Sequence, residues 1–158
     1  MAQLELRRHA TRDPSADRLS PAGRALAQDV GRARGHVAYD AVFVSPAERA
    51  AETAAWFLRG AGRQLPTHAA IPGLGGQDAS GGSPEGMAAG VHALLDQIPP
   101  DGVALAISHA PLVERAAFGL TGRETAPMRE LEGILVTRDA DGHVEVEELR
   151  LGGPPTGR

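Results

Sequence analysis

Three Ser-Pro pairs, Ser20-Pro21, Ser45-Pro46 and Ser83-Pro84, punctuate the chain and constrain its fold more than any other feature. A serine hydroxyl accepts from a free amide of a first helical turn. Proline suits the next position, because the N–H it lacks would have had no helical partner. Each pair therefore marks a helix start. Pro21 begins a helix running to about Arg34, with Leu26 and Val30 facing the core. Ser45-Pro46-Ala47-Glu48 combines a capping box with proline at the first helical position and starts a helix lasting to about Gly60. Pro84 opens another through about Gln97, and Pro111–Gly119 is also helical.

The segments between these helices read as strands. Gln3–Arg7 alternates polar and apolar residues, Ala41–Val44 is short and apolar, Thr67–Ile71 is weaker, and Val103–Ser108 is the clearest. Gly133–Arg138 and His143–Leu149 flank Asp139-Ala140-Asp141-Gly142 and predict a C-terminal β-hairpin. Strand and helix alternate, so the expected architecture is α/β: a single domain with a mostly parallel central sheet flanked by helices. The domain is expected over residues 1–151, with the Gly/Pro-rich 152–158 as a flexible tail. Gly73–Gly82 is a glycine-rich loop that lacks the full spacing of a dinucleotide-binding fingerprint.

Composition narrows the function. At 158 residues the chain is one domain's worth, and its formal charge of −4 argues against a nucleic-acid partner. No apolar run approaches the ~18 residues of a membrane span, and the N-terminus has no apolar core of a secretory signal, so the expected location is cytoplasmic. All sixteen basic residues are Arg. Without Lys there is no Schiff-base chemistry and no P-loop mechanism; without Cys there is no thiolate nucleophile or thiolate metal site. Only Arg and His remain to meet an anion with positive charge.

In parallel sheets ligands bind beyond the carboxyl ends of the strands. The first strand ends in Arg7-Arg8-His9-Ala10. The second ends in Ser45-Pro46, with Arg49 in the first turns of the next helix. Val103–Ser108 ends in His109-Ala110-Pro111. Two His and two Arg are thus expected on one rim beside two helix N-termini, an arrangement suited to a phosphoryl group.

These residues also carry a family resemblance. Leu6-Arg7-Arg8-His9-Ala10 resembles the Arg-His-Gly/Ala motif of the histidine phosphatase superfamily, the phosphoglycerate-mutase-like proteins. Ser45-Pro46-Ala47-Glu48-Arg49-Ala50-Ala51-Glu52-Thr53 is similar to its Ser-Pro-x-x-Arg-x-x-x-Thr segment, and Ser108-His109 resembles its second histidine motif. The short chain, Ala10, the segment Ser108–Val113 and Pro127-Met128 look like the small SixA-type phosphohistidine phosphatases. The resemblance implies that His9 is a nucleophile forming a phosphohistidine. It implies that Arg8, Arg49 and His109 hold the phosphoryl oxygens, and that no metal or organic cofactor takes part. Neighbouring Arg8 and Arg49 are expected to disfavour the protonated form of His9.

Larger members of the family place a Glu after the third strand to protonate the leaving oxygen. Here Ile71–Asp78 has none; Asp78 is the nearest carboxylate and Glu85 the next. A site without a dedicated acid suits leaving groups that need little protonation, such as imidazole. The expected substrate is therefore phosphohistidine on a partner protein. A small-molecule phosphomonoesterase and a non-catalytic phospholigand-binding domain are the alternatives. His36, His68, His92 and His143 read as surface or loop residues. Ser45 reads as a helix cap, and Arg12 and Arg18 lie where an acidic substrate or solvent would meet them.

Overall fold

Strand β1 (Ala2–Arg8) runs through the middle of a six-stranded sheet and organises the molecule. The computed structural model describes residues 1–64 and 68–152. In chain order the other elements are α1 (Pro21–Ala33), β2 (Ala41–Val44), α2 (Glu48–Gly60), β3 (Ala69–Ala70), a 3-10 turn (Pro72–Gly75), α3 (Pro84–Leu95), β4 (Val103–Ser108), α4 (Leu112–Thr121), β5 (Gly133–Arg138) and β6 (Val144–Leu149). The sheet order is β3-β2-β4-β1-β5-β6. The first four strands in that order are mutually parallel, and β5 and β6 add an antiparallel hairpin. The expected α/β domain and hairpin are both present. Thr67 and residues 153–158 of the expected tail lie outside the described residues.

Helices cover both faces, so β1 and β4 are buried from either side. Leu4, Leu6, Ala104 and Ala106 pack with Met87, Val91, Leu95, Val113 and Ala116 of α3 and α4. Leu105, Ile107, Val42 and Val44 pack with Ala27, Ala54, Phe57 and Leu58 of α1 and α2. Two polar positions of β1, Glu5 and Arg7, therefore do not face water. Glu5 is fully buried, and its carboxylate accepts from Arg7 Nε at 3.0 Å, Arg34 Nη2 at 2.6 Å and Tyr39 Oη at 2.7 Å. A carboxylate so deep stays in the fold because each oxygen has charged or hydroxyl donors.

Glycine lets α1 and α2 touch backbone to backbone. A Cβ on Gly31 would lie 1.8 Å from the Phe57 carbonyl oxygen, and one on Gly60 would lie 2.0 Å from that of Gln28. Two of the three Ser-Pro pairs cap helices as expected: Ser20 Oγ accepts from the Gly23 amide, and Ser83 Oγ from that of Gly86. Ser45 does not. Its amide is held by the Ile107 carbonyl at the end of the sheet, and α2 begins only at Glu48, after Pro46 and Ala47 have turned the chain. Among the described residues no helix is long and apolar enough to cross a membrane.

Candidate active site

The ladder between β1 and β4 pairs Arg8 with Ser108, so the next residue on each strand, His9 and His109, emerges at the same edge. The His9 amide donates to the Ser108 carbonyl at 2.9 Å, which continues the ladder by one bond. The two imidazoles meet edge to face with centroids 5.1 Å apart. Arg49, in the first turn of α2, joins them from the adjoining strand. They line an open cleft of about 560 Å³ with Arg8, Asp17, Pro46, Gly75 and Gln77. The four residues expected at the rim, His9, Arg8, Arg49 and His109, thus come together.

The hydrogen bonds assign the tautomer of His9. Nδ1 lies 2.7 Å from the Ala10 carbonyl oxygen, which only accepts, so Nδ1 carries the proton. Nε2 is left with a lone pair, and Arg49 Nε donates to it at 3.3 Å. The ring is 7% exposed, and burial is the largest cause holding its pKa below the usual 6.5. The Ala10 carbonyl opposes the shift, while Arg49 and Arg8 add to it. The arginines act as expected from sequence, but dehydration acts more strongly.

His109 is held at both nitrogens. Nε2 is 2.6 Å from Ser45 Oγ, and Nδ1 lies 3.3 Å from Arg49 Nη2, a pure donor. Nδ1 therefore accepts, and Nε2–H points to Ser45. Burial, the neighbouring His9 and Arg49 lower its pKa to about 4, against a smaller opposing pull from Asp17. Ser45 owes its place to this contact rather than to a helix cap, since its oxygen takes only a 3.3 Å bond from the Ala47 amide beside it.

Arg8 donates through Nη1 to the Met128 carbonyl at 2.9 Å and lies 3.7 Å from Glu130 through Nη2; its Nε is buried and donates to no group among the described residues. The loop that receives it includes Leu131, fully buried at φ 64°, whose amide donates to the Arg8 carbonyl.

The sequence suggested that the α2 N-terminus is free to take an oxyanion. The structure gives that position to Asp17. Its Oδ2 accepts from the Glu48 amide at 2.9 Å, and its Oδ1 from the Arg49 amide at 3.2 Å and from Arg49 Nη1 at 2.8 Å. Burial raises its pKa, but the bonds from Arg49 and the two amides outweigh that and lower it overall. Sequence reasoning missed Asp17 because its partners lie about thirty residues away and no local pattern announces them.

Asp78 and Glu85 are not brought to the cleft. Asp78 lines a separate apolar recess with Leu74 and Met87, and its Oδ1 accepts from the Ser80 amide and hydroxyl at 3.0 and 2.5 Å. The Ser80 hydroxyl is the largest cause lowering its pKa. Glu85 is exposed in the first turn of α3. In this segment the cleft is lined by Gly75 and Gln77, and the amide of Gln77 cannot supply a proton as an acid does. Arg12 and Arg18 engage Asp13 rather than the cleft.

A family model described as the histidine phosphatase superfamily, branch 1, matches residues 4–96. No curated protein matches the chain. Among solved structures it is similar to the protein histidine phosphatase SixA complexed with tungstate, at 25% identity over 93% of this chain and 96% of that one, with a TM-score of 0.70. A phosphoserine phosphatase mutant from Entamoeba histolytica, in complex with phosphoserine, matches at 17% identity over 94% and 97%, with a TM-score of 0.74. A phosphoglycerate mutase from Bacillus anthracis matches at 15% over 93% and 92%, with a TM-score of 0.70.

Proposed function

The chain belongs to the histidine phosphatase superfamily, and from that premise we propose that it removes the phosphoryl group from phosphohistidine on a partner protein, through a covalent intermediate on His9. The family makes it a hydrolase of phosphate esters; the P–N bond and the protein substrate are the further step. The observation that carries the reading is the state of His9, whose Nδ1–H is engaged by its own chain while Nε2 turns a lone pair into the cleft.

In the first half-reaction Nε2 attacks phosphorus in line. The new N–P bond forms as the bond to the leaving imidazole breaks, and that ring departs neutral because its other nitrogen has already taken a proton from solvent. Arg49 leaves the Nε2 lone pair and, with Arg8, donates to the equatorial oxygens as their charge grows. His109 stands beside His9, where a phosphoryl oxygen brings it a new partner at Nδ1. The phosphoryl dianion favours the charged ring, so on substrate binding His109 takes a proton from solvent at Nδ1 while Ser45 continues to accept from Nε2–H. Water then attacks the phosphohistidine, releases inorganic phosphate and restores the neutral ring.

The substrate class follows from the leaving group. An alkoxide needs a proton as it departs, whereas imidazole, with a reference pKa of about 6.5, is a far better leaving group. Among the described residues, Asp17 is the carboxylate lining the cleft, and its lowered pKa makes it a poor acid. The SixA likeness supports the same reading.

The test is time-resolved hydrolysis of a phosphohistidine-bearing protein beside p-nitrophenyl phosphate and a sugar phosphate, with His9→Ala as control. Rapid loss of phosphohistidine, slow action on the sugar phosphate and an inactive His9→Ala variant are expected. Preference for the sugar phosphate would overturn the P–N assignment. No turnover of any substrate would point instead to a phospholigand-binding domain.

A further inference from the structure

Asp17 stands on the loop between β1 and α1, yet its carboxylate ends at the start of α2. That loop is braced along its length. Asp13 takes bonds from the Ser15 amide at 2.8 Å and from Arg18 Nε at 3.0 Å, and the Asp13 amide donates to the Arg18 carbonyl at 2.7 Å. Beyond Asp17, the Leu19 amide donates to Glu52 of α2 at 2.7 Å. The brace delivers the Asp17 carboxylate to two amides and to Arg49 Nη1 at once. A guanidinium is a rigid planar fork, so fixing Nη1 also fixes where its other nitrogens point. With Nη1 held, Nε and Nη2 face the two imidazoles at 3.3 Å each.

We propose that Asp17 is a positioning residue of the phosphoryl site. It turns the Nε and Nη2 edge of Arg49 toward the transferring group, and it occupies the α2 N-terminus so that arginine side chains, rather than that helix, hold the phosphoryl oxygens. This role rests on the phosphatase reading above. Its energetic character is specific. A fixed carboxylate near a phosphate dianion weakens ground-state binding. The aligned fork is worth most when the equatorial oxygens gather charge in the transition state.

The inference predicts a split between turnover and binding. Wild type, Asp17→Asn, Asp17→Ala and His9→Ala are assayed with p-nitrophenyl phosphate, with inorganic phosphate as competitive inhibitor and a thermal melt for each. Misalignment of one donor costs on the order of 10- to 100-fold in kcat. Asp17→Ala is expected to lose that much, and Asp17→Asn less, because one amide oxygen still accepts from Arg49. In both variants phosphate should inhibit at the same or lower concentration than in wild type, because a negative charge is gone. A purely structural role would instead weaken phosphate binding and lower the melting temperature together. Turnover of Asp17→Ala within twofold of wild type, or phosphate inhibition weakened in step with kcat, would overturn the proposal. A wild type no more active than His9→Ala would overturn the phosphatase reading itself, and this role with it.

Discussion

Ser45 and His109 share a hydrogen bond of 2.6 Å, and replacing Ser45 by Ala removes that bond while leaving the ring in place. Ser45 is 1% exposed, so water cannot readily substitute for the lost oxygen. The imidazole Nε2–H is then a buried donor without an acceptor, a condition that costs about 1–3 kcal/mol. Part of the cost falls on the free protein as lost stability. The catalytic part appears only if Ser45 holds the ring with Nδ1 toward the phosphoryl oxygens. If most of it is felt there, kcat/KM falls by roughly 5- to 150-fold. The assay is a double-mutant cycle on p-nitrophenyl phosphate with wild type, Ser45→Ala, His109→Ala and the double variant, each melted to confirm folding. Because Ser45 acts through His109, Ser45→Ala should cost almost nothing further once His109 is gone. An equal loss on both backgrounds would refute the reasoning, since the hydroxyl would then act by another route.

Four other outcomes follow from the geometry. Protonating His9 consumes the attacking lone pair, and burial together with Arg49 and Arg8 holds its pKa below 6.5. Activity should therefore hold or rise as pH falls through 6.5, since His109 gains the proton its role needs, and drop only below the lowered His9 value; a fall to half on the acid side at or above 6.5 in a kcat/KM profile from about pH 5 to 8 would contradict this. Asp78→Asn and Glu85→Gln should each leave turnover of p-nitrophenyl phosphate within about twofold of wild type, and a tenfold fall in either would restore that carboxylate as an acid. Gly31→Ala drives a methyl group into the Phe57 carbonyl. It should cost about 1–3 kcal/mol and lower the melting temperature by roughly 5 °C; an unchanged melt would mean that α1 and α2 slide apart freely. Glu5→Gln leaves Arg7 and Arg34 without their buried counter-charge, for a loss of about 3–5 kcal/mol in urea unfolding; a loss below about 1 kcal/mol would show the network to be dispensable.

The rim of the sheet was legible in the sequence because its signals are local. Val103–Ser108 and Ala41–Val44 form strands over the expected residues, and Ser20 and Ser83 cap the helices they precede. What the sequence concealed depends on residues far apart in the chain. Ser45 carries the same dipeptide as Ser20 and Ser83 but lies directly at a strand end, where sheet hydrogen bonding outweighs the helix-start preference. Asp17 shows its role only after the loop folds back on α2. The alternating Gln3–Arg7 gives no sign that Glu5 faces Arg34 and Tyr39, because those partners arrive with α1 and the chain that follows it. The tautomer of His9 depends on a single carbonyl whose direction no side-chain pattern specifies.

The pairing of Arg8 with Ser108 has a kinetic consequence. The two histidines stand about a hundred residues apart in the chain, and their spacing is set by strands that pair only after that long stretch has closed into a loop. Closing it costs entropy before any contact repays it, which places this pairing among the slow, topology-limited events of folding. A fragment ending before β4 would contain His9, Arg8 and Arg49 and still have no second imidazole beside the first. During refolding, recovery of phosphatase activity should therefore lag behind recovery of helix content, and a nascent chain should stay inert until the β4 segment has emerged and docked beside β1.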